Sequence, residues 1–399
     1  MGDISHIKNV AIIGAGIQGH AIAQIALMAG FEKVFLNDLT MKVIEKGVSL
    51  IKNNPKLGLR KLESDGLLSA GETTETILKR LIKEPDLKKA VEFADYVIEA
   101  VPEVMEIKKE VYKKLGEYTP RDTVIASNTS TMSPTKLGEA SGKPEKVIGM
   151  HFFSPIRNRL IEITKGDKTS KESMEIGVAV GNKLPATEGK RVIIQLEKET
   201  PGHIANRVVG SAYIYINWLL DQALEKNIPF EQLDADIMGL LPNGVCMLCD
   251  GIGLDTVYNV LVYYSETLSP EFSPGRVITS MVENGNLGIK TGKGFYDWSK
   301  GTLPEIDPSK KAGLVDVEAL MAQILNEGCR LLEQGIVKGY RVIDKAVSIG
   351  YRMPGPFIMG KRNYQQLSSK LEEVSEITGI GYLKPCSLMK SGEFLKMRK

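Results

Sequence analysis

Short apolar runs alternate with amphipathic stretches over the first half of the chain. The runs are rich in β-branched residues and are bounded by turn residues, a pattern that is typical of buried strands. We predict strands at 9–13, 33–37, 96–101, 123–126, 146–150, 160–164 and 192–196. Helical segments such as 107–115 and 170–181 lie between several of them. Repeated strand–helix units predict a mostly parallel sheet with helices on both faces.

The pattern changes around Thr200-Pro-Gly202. Beyond this point the apolar residues recur at helical spacing, and the stretch 203–284 contains no convincing strand. A loop rich in Gly, Lys and Pro follows at 285–313, and then the helical pattern returns. The second half of the chain is therefore expected to be all-α.

Two stretches of this second half resemble each other, 218–241 and 322–351. Each carries the end of a helix, a turn and a similar apolar segment, in which Asp234 matches Asp344. We predict a tandem duplication of one all-α unit; the alternative is two unrelated helix pairs. The expected domains are 1–199, 200–300 and 301–399.

Composition narrows the class of protein. With 43% hydrophobic and 25% charged residues, the chain has the composition of an ordinary globular protein. Its 51 basic and 49 acidic side chains create no overall field that would attract nucleic acid. No apolar run approaches the ~20 residues of a membrane span, and the N-terminus shows no secretory pattern. The four cysteines suggest no disulfide framework, and the pair Cys246 and Cys249 is expected to pack in a helix, so we expect a cytoplasmic protein.

The first strand runs directly into Gly14-Ala-Gly16-Ile-Gln-Gly19, and a helix follows. Gly14 permits the tight turn, Gly16 lets the backbone approach a pyrophosphate, and Gly19 allows close packing of helix on strand. Asp38 ends the second strand, about where a carboxylate binds the adenosine ribose and favours NAD over NADP. These features predict a dinucleotide site; the alternative is a purely structural turn.

A hydroxyl-rich run at 127–130, then His151, then Glu162 form a second group of candidate residues. A neutral imidazole can take a proton near neutral pH, and a carboxylate on its other nitrogen fixes the tautomer. For an isolated histidine, a structural role with a backbone carbonyl as partner is more common. Because ligands of parallel sheets bind at the carboxyl ends of the strands, we expect Glu103, residues 127–130 and His151 to lie near the nicotinamide.

Together these features make the chain similar to the 3-hydroxyacyl-CoA dehydrogenases over nearly its whole length. The motifs that carry the resemblance are Gly14–Gly19, Ile98-Glu-Ala-Val-Pro-Glu103, Ala126-Ser-Asn-Thr-Ser130, Gly149-Met-His-Phe-Phe-Ser-Pro155, Thr200-Pro-Gly-His-Ile-Ala-Asn-Arg207 and Lys290-Thr-Gly-Lys-Gly-Phe-Tyr296. This family oxidises (S)-3-hydroxyacyl-CoA to 3-ketoacyl-CoA with NAD, reversibly. The resemblance implies an α/β Rossmann-like N-terminal domain followed by an all-α C-terminal region made of the tandem repeat.

The resemblance also implies a role for each matching residue. His151 would take the proton of the 3-hydroxyl group, with Glu162 as its carboxylate partner. Ser130 would hydrogen-bond the reacting oxygen, and Asn206 would lie beside the substrate carbonyl. The implied cofactor-binding residues are Gly14, Gly16, Ile17, Gln18, Gly19, Asp38, Ala100, Val101, Glu103, Lys108 and Asn128. No metal is implied, and no ligand spacing suggests one.

The chain departs from the family pattern around the candidate dyad. Ser154 stands where the family usually has Asn, and the segment from His151 to Glu162 is one residue shorter than usual. We expect Glu162 to lie on the next strand and to face back toward His151. In the first helical unit, the family's usual Gly-Tyr-Pro-Met-Gly-Pro-Phe is replaced by Leu240-Leu-Pro-Asn-Gly-Val-Cys246. Because of this departure, the family's acyl-chain preference does not carry over to this chain.

Two alternative functions stay open from the sequence. One is a dehydrogenase of a free hydroxy acid or sugar acid, with Arg157 or Arg159 binding the carboxylate. The other is a cofactor-binding protein without catalytic activity. For the leading hypothesis the expected partners are a short-chain acyl-CoA substrate, such as 3-hydroxybutyryl-CoA, and a separate enoyl-CoA hydratase. The chain is expected to be a monomer whose two helical units mimic a dimer, or a homodimer.

Overall fold

The computed structural model describes residues 3–238 and 244–399, and these form two compact units. The first unit contains the chain up to Ile204 together with Gly335–Val337 and Lys345–Met353. The second unit contains the remaining residues. The motif Leu240–Cys246 falls largely outside the described residues.

The first unit is built on one eight-stranded sheet in the order β3-β2-β1-β4-β5-β6-β7-β8. The strands are β1 Asn9–Ile13, β2 Lys33–Asn37, β3 Leu81–Lys83, β4 Tyr96–Glu99, β5 Val124–Ser127, β6 Val147–Phe152, β7 Leu160–Lys165 and β8 Val192–Leu196. All neighbouring strands are parallel except β6 and β7, which are antiparallel. The prediction of a mostly parallel sheet is confirmed.

The antiparallel pair has a simple physical cause in the length of its connection. Only Phe153–Arg159 separates β6 from β7, whereas a parallel pair needs a crossover of about a dozen residues or more. The predicted strand 146–150 places His151 after the end of the strand, and this is wrong: β6 extends to Phe152, so His151 lies within it. Because β7 runs antiparallel to β6, His151 of β6 lies directly opposite Glu162 of β7.

Helices cover both faces of this sheet. Those of the first unit are α1 Gly19–Met28, α2 Met41–Asn53, α3 Leu59–Ser64, α4 Thr74–Leu78, α5 Leu87–Val91, α6 Met105–Tyr118, α7 Pro134–Ser141 and α8 Lys171–Lys183. Several begin at a residue whose side chain accepts a backbone N–H of the first turn, as at Thr40, Asp86 and Ser170. Alternate residues of β1 enter two separate hydrophobic clusters, Val10 and Ile12 on one face and their neighbours on the other.

The second unit is helical, as the sequence predicts. Its helices are α9 Ala205–Gly210, α10 Tyr213–Glu225, α11 Phe230–Ile237, α12 Val245–Ile252, α13 Leu254–Thr267, α14 Arg276–Glu283, α15 Val317–Glu333, α16 Tyr340–Tyr351, α17 Pro356–Gly360, α18 Tyr364–Thr378 and α19 Ser387–Ser391. The end of α16 belongs to the first unit. The apolar residues that begin the helical pattern are distributed over α9, α10 and the residues beside them, and all are buried: Ile204, Val208, Ala212, Tyr215, Leu219 and Ala223.

The cysteine pair Cys246 and Cys249 lies on α12 with both side chains buried, and burial raises the pKa of both thiols. Both residues therefore pack in a helix, as expected. Within 3–238 and 244–399, no single helix is long and apolar enough to cross a membrane. One helix pair, Val245–Ile252 with Leu254–Thr267, meets the length and composition criteria together but is bent by 95°.

Candidate active site

The turn after β1 has the geometry of a dinucleotide-binding turn. Gly14 adopts a φ of 103°, and a Cβ on this residue would lie 2.5 Å from the carbonyl oxygen of Ala100. A Cβ on Gly19 would lie 1.7 Å from the carbonyl oxygen of Gly14, so neither position accepts a side chain. A Cβ on Gly16 would instead point into open space. Two glycines thus serve the tight packing of β1, α1 and β4, and Gly16 leaves the backbone accessible to a ligand.

The surroundings of this turn fit a bound dinucleotide. The carboxylate of Asp38 accepts the backbone N–H of Ala15 (2.8 Å) and of Leu39 (2.7 Å), which ties the end of β2 to the turn. The side-chain oxygen Oε1 of Gln18 is buried and has no hydrogen-bond partner within the described residues, as expected for a group that meets a ligand. Ile17 is 88% exposed beside it.

A cluster of charges lies where β4 and β5 end, with Glu99 and Lys108 buried and Glu103 partly exposed. Nζ of Lys108 lies 2.6 Å from Oε1 of Glu99 and 3.2 Å from Oε2 of Glu103. Oε1 of Glu99 also accepts the N–H of Val101 (2.8 Å), and its Oε2 accepts the hydroxyl of Ser127 (2.6 Å). Burial alone would lower the pKa of Lys108, but the two carboxylates outweigh it and raise that pKa above its usual value.

Glu103 connects this cluster to the hydroxyl-rich loop that follows β5. Its Oε1 accepts the hydroxyl of Thr129 (2.5 Å), the N–H of Ser130 (3.0 Å) and the hydroxyl of Thr131 (3.0 Å). Burial opposes ionisation of Glu103, yet Lys108 and these hydroxyls hold its pKa below the usual range. The negative charge of Glu103 therefore fixes the backbone that carries Ser130.

The predicted dyad is formed by directly opposed residues of β6 and β7. His151 pairs with Glu162 in the strand register, and Nδ1 of His151 lies 2.9 Å from Oε2 of Glu162. The other carboxylate oxygen, Oε1, accepts the N–H of Ile204 (3.1 Å). Because a carboxylate accepts hydrogen bonds, Nδ1 carries a proton, and in the neutral imidazole Nε2 of His151 keeps a lone pair. The shortened segment thus lets Glu162 face back toward His151, as expected.

A second histidine lies against the dyad. The ring of His203 stacks on the ring of His151 with the centroids 5.0 Å apart and the planes 11° from parallel. Nδ1 of His203 lies 2.8 Å from Oγ1 of Thr164, and Nε2 lies 3.0 Å from the carbonyl oxygen of Thr129. On another side, the ring of Phe153 lies 4.8 Å from that of His151. His151 therefore contacts two aromatic rings, one stacked and one tilted.

Residues beyond the motifs also belong to this region. Tyr351, from the end of α16, contacts Phe153 edge-on at 5.7 Å between centroids. Arg157, one of the two arginines named for the free-acid alternative, lies with Nη2 3.1 Å from Oε1 of Glu188, and Arg352 bonds the same carboxylate oxygen. Sequence reasoning missed Tyr351, because nothing in its neighbourhood along the chain links it to His151.

The structure brings most of the predicted residues together in the first unit. The glycine turn and Asp38 lie at the ends of β1 and β2, Ala100 and Val101 follow β4, and Asn128 follows β5. Oδ1 of Asn128 accepts the N–H of Phe152 (3.1 Å), which links the loop to β6. Asn206 lies on α9, in the second unit. His203 and Thr164 were not predicted, although His203 stands inside the motif 200–207 and is one of only four histidines.

Comparison with known proteins gives a consistent result. A family described as "3-hydroxyacyl-CoA dehydrogenase, NAD binding domain" matches residues 9–196, and the C-terminal domain of the same family matches residues 202–298. A protein of Deinococcus radiodurans named "Probable 3-hydroxybutyryl-CoA dehydrogenase" is 33% identical over 292 residues, 72% of this chain and 99% of that protein. A Bacillus subtilis protein of the same name is 33% identical over 304 residues, 74% of this chain and 99% of that protein.

A solved structure extends the likeness to the rest of the chain. The crystal structure of 3-hydroxybutyryl-CoA dehydrogenase from Escherichia coli K12 matches with a TM-score of 0.81 and 26% sequence identity. The match covers 98% of this chain and 99% of the other. The dinucleotide turn, the matched family domains and these relatives agree: the chain belongs to the NAD-dependent 3-hydroxyacyl-CoA dehydrogenase family.

Proposed function

We propose that this protein interconverts (S)-3-hydroxyacyl-CoA and 3-ketoacyl-CoA with NAD, and that His151 and Glu162 form its proton-transfer dyad. The observation that carries the proposal is the 2.9 Å contact between Nδ1 of His151 and Glu162, which leaves Nε2 with a lone pair. Two of the relatives named above carry the name "Probable 3-hydroxybutyryl-CoA dehydrogenase" and the solved structure is that of a 3-hydroxybutyryl-CoA dehydrogenase, so a short-chain substrate is the first choice.

The chemistry requires a proton acceptor beside the reacting carbon. NAD⁺, when bound, supplies the acceptor for the hydride that leaves C3. The O–H bond of the 3-hydroxyl breaks, its electron pair forms the second bond of the C3 carbonyl, and the proton goes to Nε2 of His151. Glu162 stabilises the resulting imidazolium through Nδ1–H. In the reverse direction the same nitrogen returns the proton to the carbonyl oxygen.

Two further residues are proposed to act on the substrate. The hydroxyl of Ser130 would donate to the reacting oxygen, and Asn206 would donate to the thioester carbonyl. Support for Ser130 comes from its loop, which Glu103 holds through the N–H of Ser130 at 3.0 Å. For Asn206, support is limited to its place in the motif 200–207, at the start of α9.

The residues that would hold the cofactor divide into two groups along the strand ends. The exposed N–H groups of the glycine turn suit a pyrophosphate, and the carboxylate of Asp38 suits the ribose hydroxyls. The proposed pyrophosphate and ribose residues are Gly14, Gly16, Ile17, Gln18, Gly19 and Asp38. The proposed nicotinamide residues are Ala100, Val101, Glu103, Lys108 and Asn128.

The tandem repeat is proposed for the helical region. Helices α10–α14 and α15–α19 follow each other in corresponding order, with a 3₁₀ turn before the last helix of each set, Pro270–Phe272 and Gly381–Leu383. The carboxylate of Asp234 accepts the N–H of Cys246 (2.8 Å), in the first turn of α12. The matching Asp344 accepts the N–H of Phe357 (2.8 Å), in the first turn of α17.

A second pair of contacts supports the same proposal. On α10, the side chain of Asn217 accepts the N–H of Gly275 (2.8 Å) and donates to the carbonyl oxygen of the residue two positions before that glycine (3.1 Å). On α15, Asn326 accepts the N–H of Cys386 (2.8 Å) and donates to the carbonyl two residues before it (3.0 Å). Unrelated helix pairs would share such bonds only by chance.

A duplicated helical unit bears on assembly. We expect a chain with two such units to depend little on a partner copy for its stability. Separately, we propose that the protein works in the cytoplasm and that its partner enzyme is a separate enoyl-CoA hydratase. Gel filtration over a hundredfold dilution series tests the first expectation. Constant elution at the monomer position supports it, and an obligate dimer that unfolds on dilution contradicts it.

The activity is tested by NADH oxidation with acetoacetyl-CoA, compared with free acetoacetate. We expect turnover of the CoA ester and a kcat about 10²–10⁴-fold lower in His151→Ala, the usual contribution of a general base. His6→Ala, an exposed histidine, is the matched control and should leave kcat unchanged. Preference for free acetoacetate would favour the free-acid alternative, although Glu188 already engages Arg157, one of the two arginines named for that alternative. Full activity of His151→Ala would overturn the dyad.

A further inference from the structure

The protonation state of His203 follows from its partners. The carbonyl oxygen of Thr129 can only accept a hydrogen bond, so Nε2 of His203 carries the proton. Nδ1 then has a lone pair that accepts the hydroxyl hydrogen of Thr164. Burial, and next the nearby His151, lower the pKa of His203 to about 4, against the opposite pull of Glu162 and Glu103. The ring therefore stays neutral, in one tautomer, at physiological pH.

The ring of His203 connects three elements of the site. Thr129 belongs to the loop after β5 that carries Ser130, Thr164 lies on β7 two residues after Glu162, and His151 lies on β6. His203 is only 3% exposed and contacts all three through two hydrogen bonds and one stack. The next residue, Ile204, donates its N–H to Glu162. The short segment 203–204 thus touches the loop, the base and its carboxylate at once.

From this geometry we infer that His203 is a positioning residue for the dehydrogenase reaction. Its hydrogen bonds to Thr129 and Thr164 hold the Ser130 loop at a fixed place over the dyad, and its ring fixes the plane of the His151 imidazole. Because the stacked ring is neutral, the positive charge that forms on His151 meets no second cation. The inference rests on the proposed roles of His151 and Ser130.

Two substitutions separate the hydrogen bonds from the stack. His203→Phe keeps an aromatic ring but loses both bonds, whereas His203→Gln keeps an amide that can donate to Thr129 but loses the ring. His203 has a φ of 52°, and Phe and Gln both carry a Cβ, so the backbone strain is similar in the two variants. If the bonds position the loop, Gln must be the better replacement.

The measurement is kcat and KM for NADH and acetoacetyl-CoA, with the melting temperature of each variant. We expect kcat to fall about 10–100-fold in His203→Phe, since small displacements of reacting groups cost rates of that order, while KM for NADH stays within about twofold. His203→Gln should recover at least half of that loss on a logarithmic scale. A kcat in His203→Phe equal to or above that of His203→Gln would overturn the inference.

Thr164→Val provides the matched test should His203→Phe fail to fold. It keeps the shape of a buried side chain, removes only the hydroxyl bonded to Nδ1, and should lower kcat about 2–10-fold, the equivalent of one lost hydrogen bond. An unchanged kcat in Thr164→Val contradicts the inference. The two proposals fail separately: activity that survives His151→Ala removes the dyad, whereas an inactive His151→Ala with unaffected His203 and Thr164 variants removes only the positioning role.

Discussion

Two polar clusters of the first unit, both buried except for Glu103, differ in how completely hydrogen bonds and ion pairs engage their polar atoms. The lysine cluster comprises Glu99, Glu103, Lys108, Tyr112 and Ser127. In it, Lys108 contacts two carboxylates, and both oxygens of Glu99 accept from strong donors within 2.8 Å. None of the five side chains of this cluster is a neutral base with a free lone pair that could accept a proton.

The histidine cluster comprises Thr129, His151, Glu162, Thr164 and His203. Its bonds use both nitrogens of His203 and both oxygens of Glu162. Nε2 of His151, in contrast, has no hydrogen-bond partner in the part of the chain that the structure describes. A buried charge that hydrogen bonds and an ion pair fully compensate stabilises the fold, whereas a histidine with an unused lone pair on one nitrogen can accept a proton. The contacts of the first cluster therefore suit structural support, and those of the second suit the proton transfer proposed for His151.

The largest expected effect tests the histidine cluster through Glu162→Gln. A carboxylate accepts at both oxygens, from His151 and from the N–H of Ile204, but an amide accepts at only one end. Since the backbone N–H cannot change, the amide NH₂ then faces Nδ1 of His151 and forces the proton onto Nε2. We expect kcat to fall about 10²–10⁴-fold with little change in KM for NADH.

Steady-state kinetics with acetoacetyl-CoA measures this effect. Glu175→Gln, on the exposed side of α8, is the matched control and should be neutral. If Glu162→Gln keeps more than a tenth of the normal kcat, the tautomer argument is wrong and the two clusters do not differ as described.

The next largest effect tests the lysine cluster through Lys108→Met. The substitution leaves Glu99, which is fully buried, without a cation, and breaking a buried ion pair in this way costs about 3–5 kcal/mol of unfolding free energy. Urea denaturation measures it. Lys109→Met removes the same charge from an exposed neighbour and should change stability by less than about 0.5 kcal/mol. Equal effects of the two substitutions would mean that the cluster is not a structural support.

The sequence predicts the framework of these clusters better than their contacts. The predicted ranges of β1 and β2 agree with the structure residue for residue, because each is a short strand with an apolar centre that ends just before a glycine turn or an acid. β3 was not predicted, because its three residues, two half-buried and one exposed, are too few to show a hydrophobic periodicity. The reversal of β7 could have been predicted from the short Phe153–Arg159 connection.

Contacts between residues that are far apart in the sequence are the part of the site that the sequence does not predict. His151 and Glu162 are separated by one hairpin, so a motif and a strand pattern suffice to bring them together. His203, which contacts His151, itself has a φ of 52°, and Tyr351 contacts Phe153 from a helix that is distant in the sequence. Neither backbone conformation nor such a tertiary contact has a periodic signal in one sequence.

The pH dependence of stability tests the neutral state of His203. Its pKa is about 4 in the folded protein and about 6.5 when unfolded, so the folded state disfavours the proton. The stabilisation is complete above about pH 6.5 and is lost as the pH falls toward 4. Between pH 7 and pH 5, His203 should lower the unfolding free energy by about 2 kcal/mol. Denaturation of wild type and His203→Phe at both pH values isolates this contribution, because the variant lacks it; identical pH dependence would refute the depressed pKa.

The smallest expected effect lies at the margin of the lysine cluster, at Tyr112. Its hydroxyl lies 3.5 Å from Oε2 of Glu99, whereas the hydroxyl of Ser127 lies 2.6 Å from the same oxygen. A bond at 3.5 Å is weak, so Tyr112→Phe should cost less than about 1 kcal/mol of unfolding free energy. Ser127→Ala should cost more, because it removes a short bond to a buried carboxylate. A loss above about 2 kcal/mol in Tyr112→Phe would mean that Glu99 depends on the tyrosine, and that Lys108 and Ser127 do not by themselves satisfy its charge.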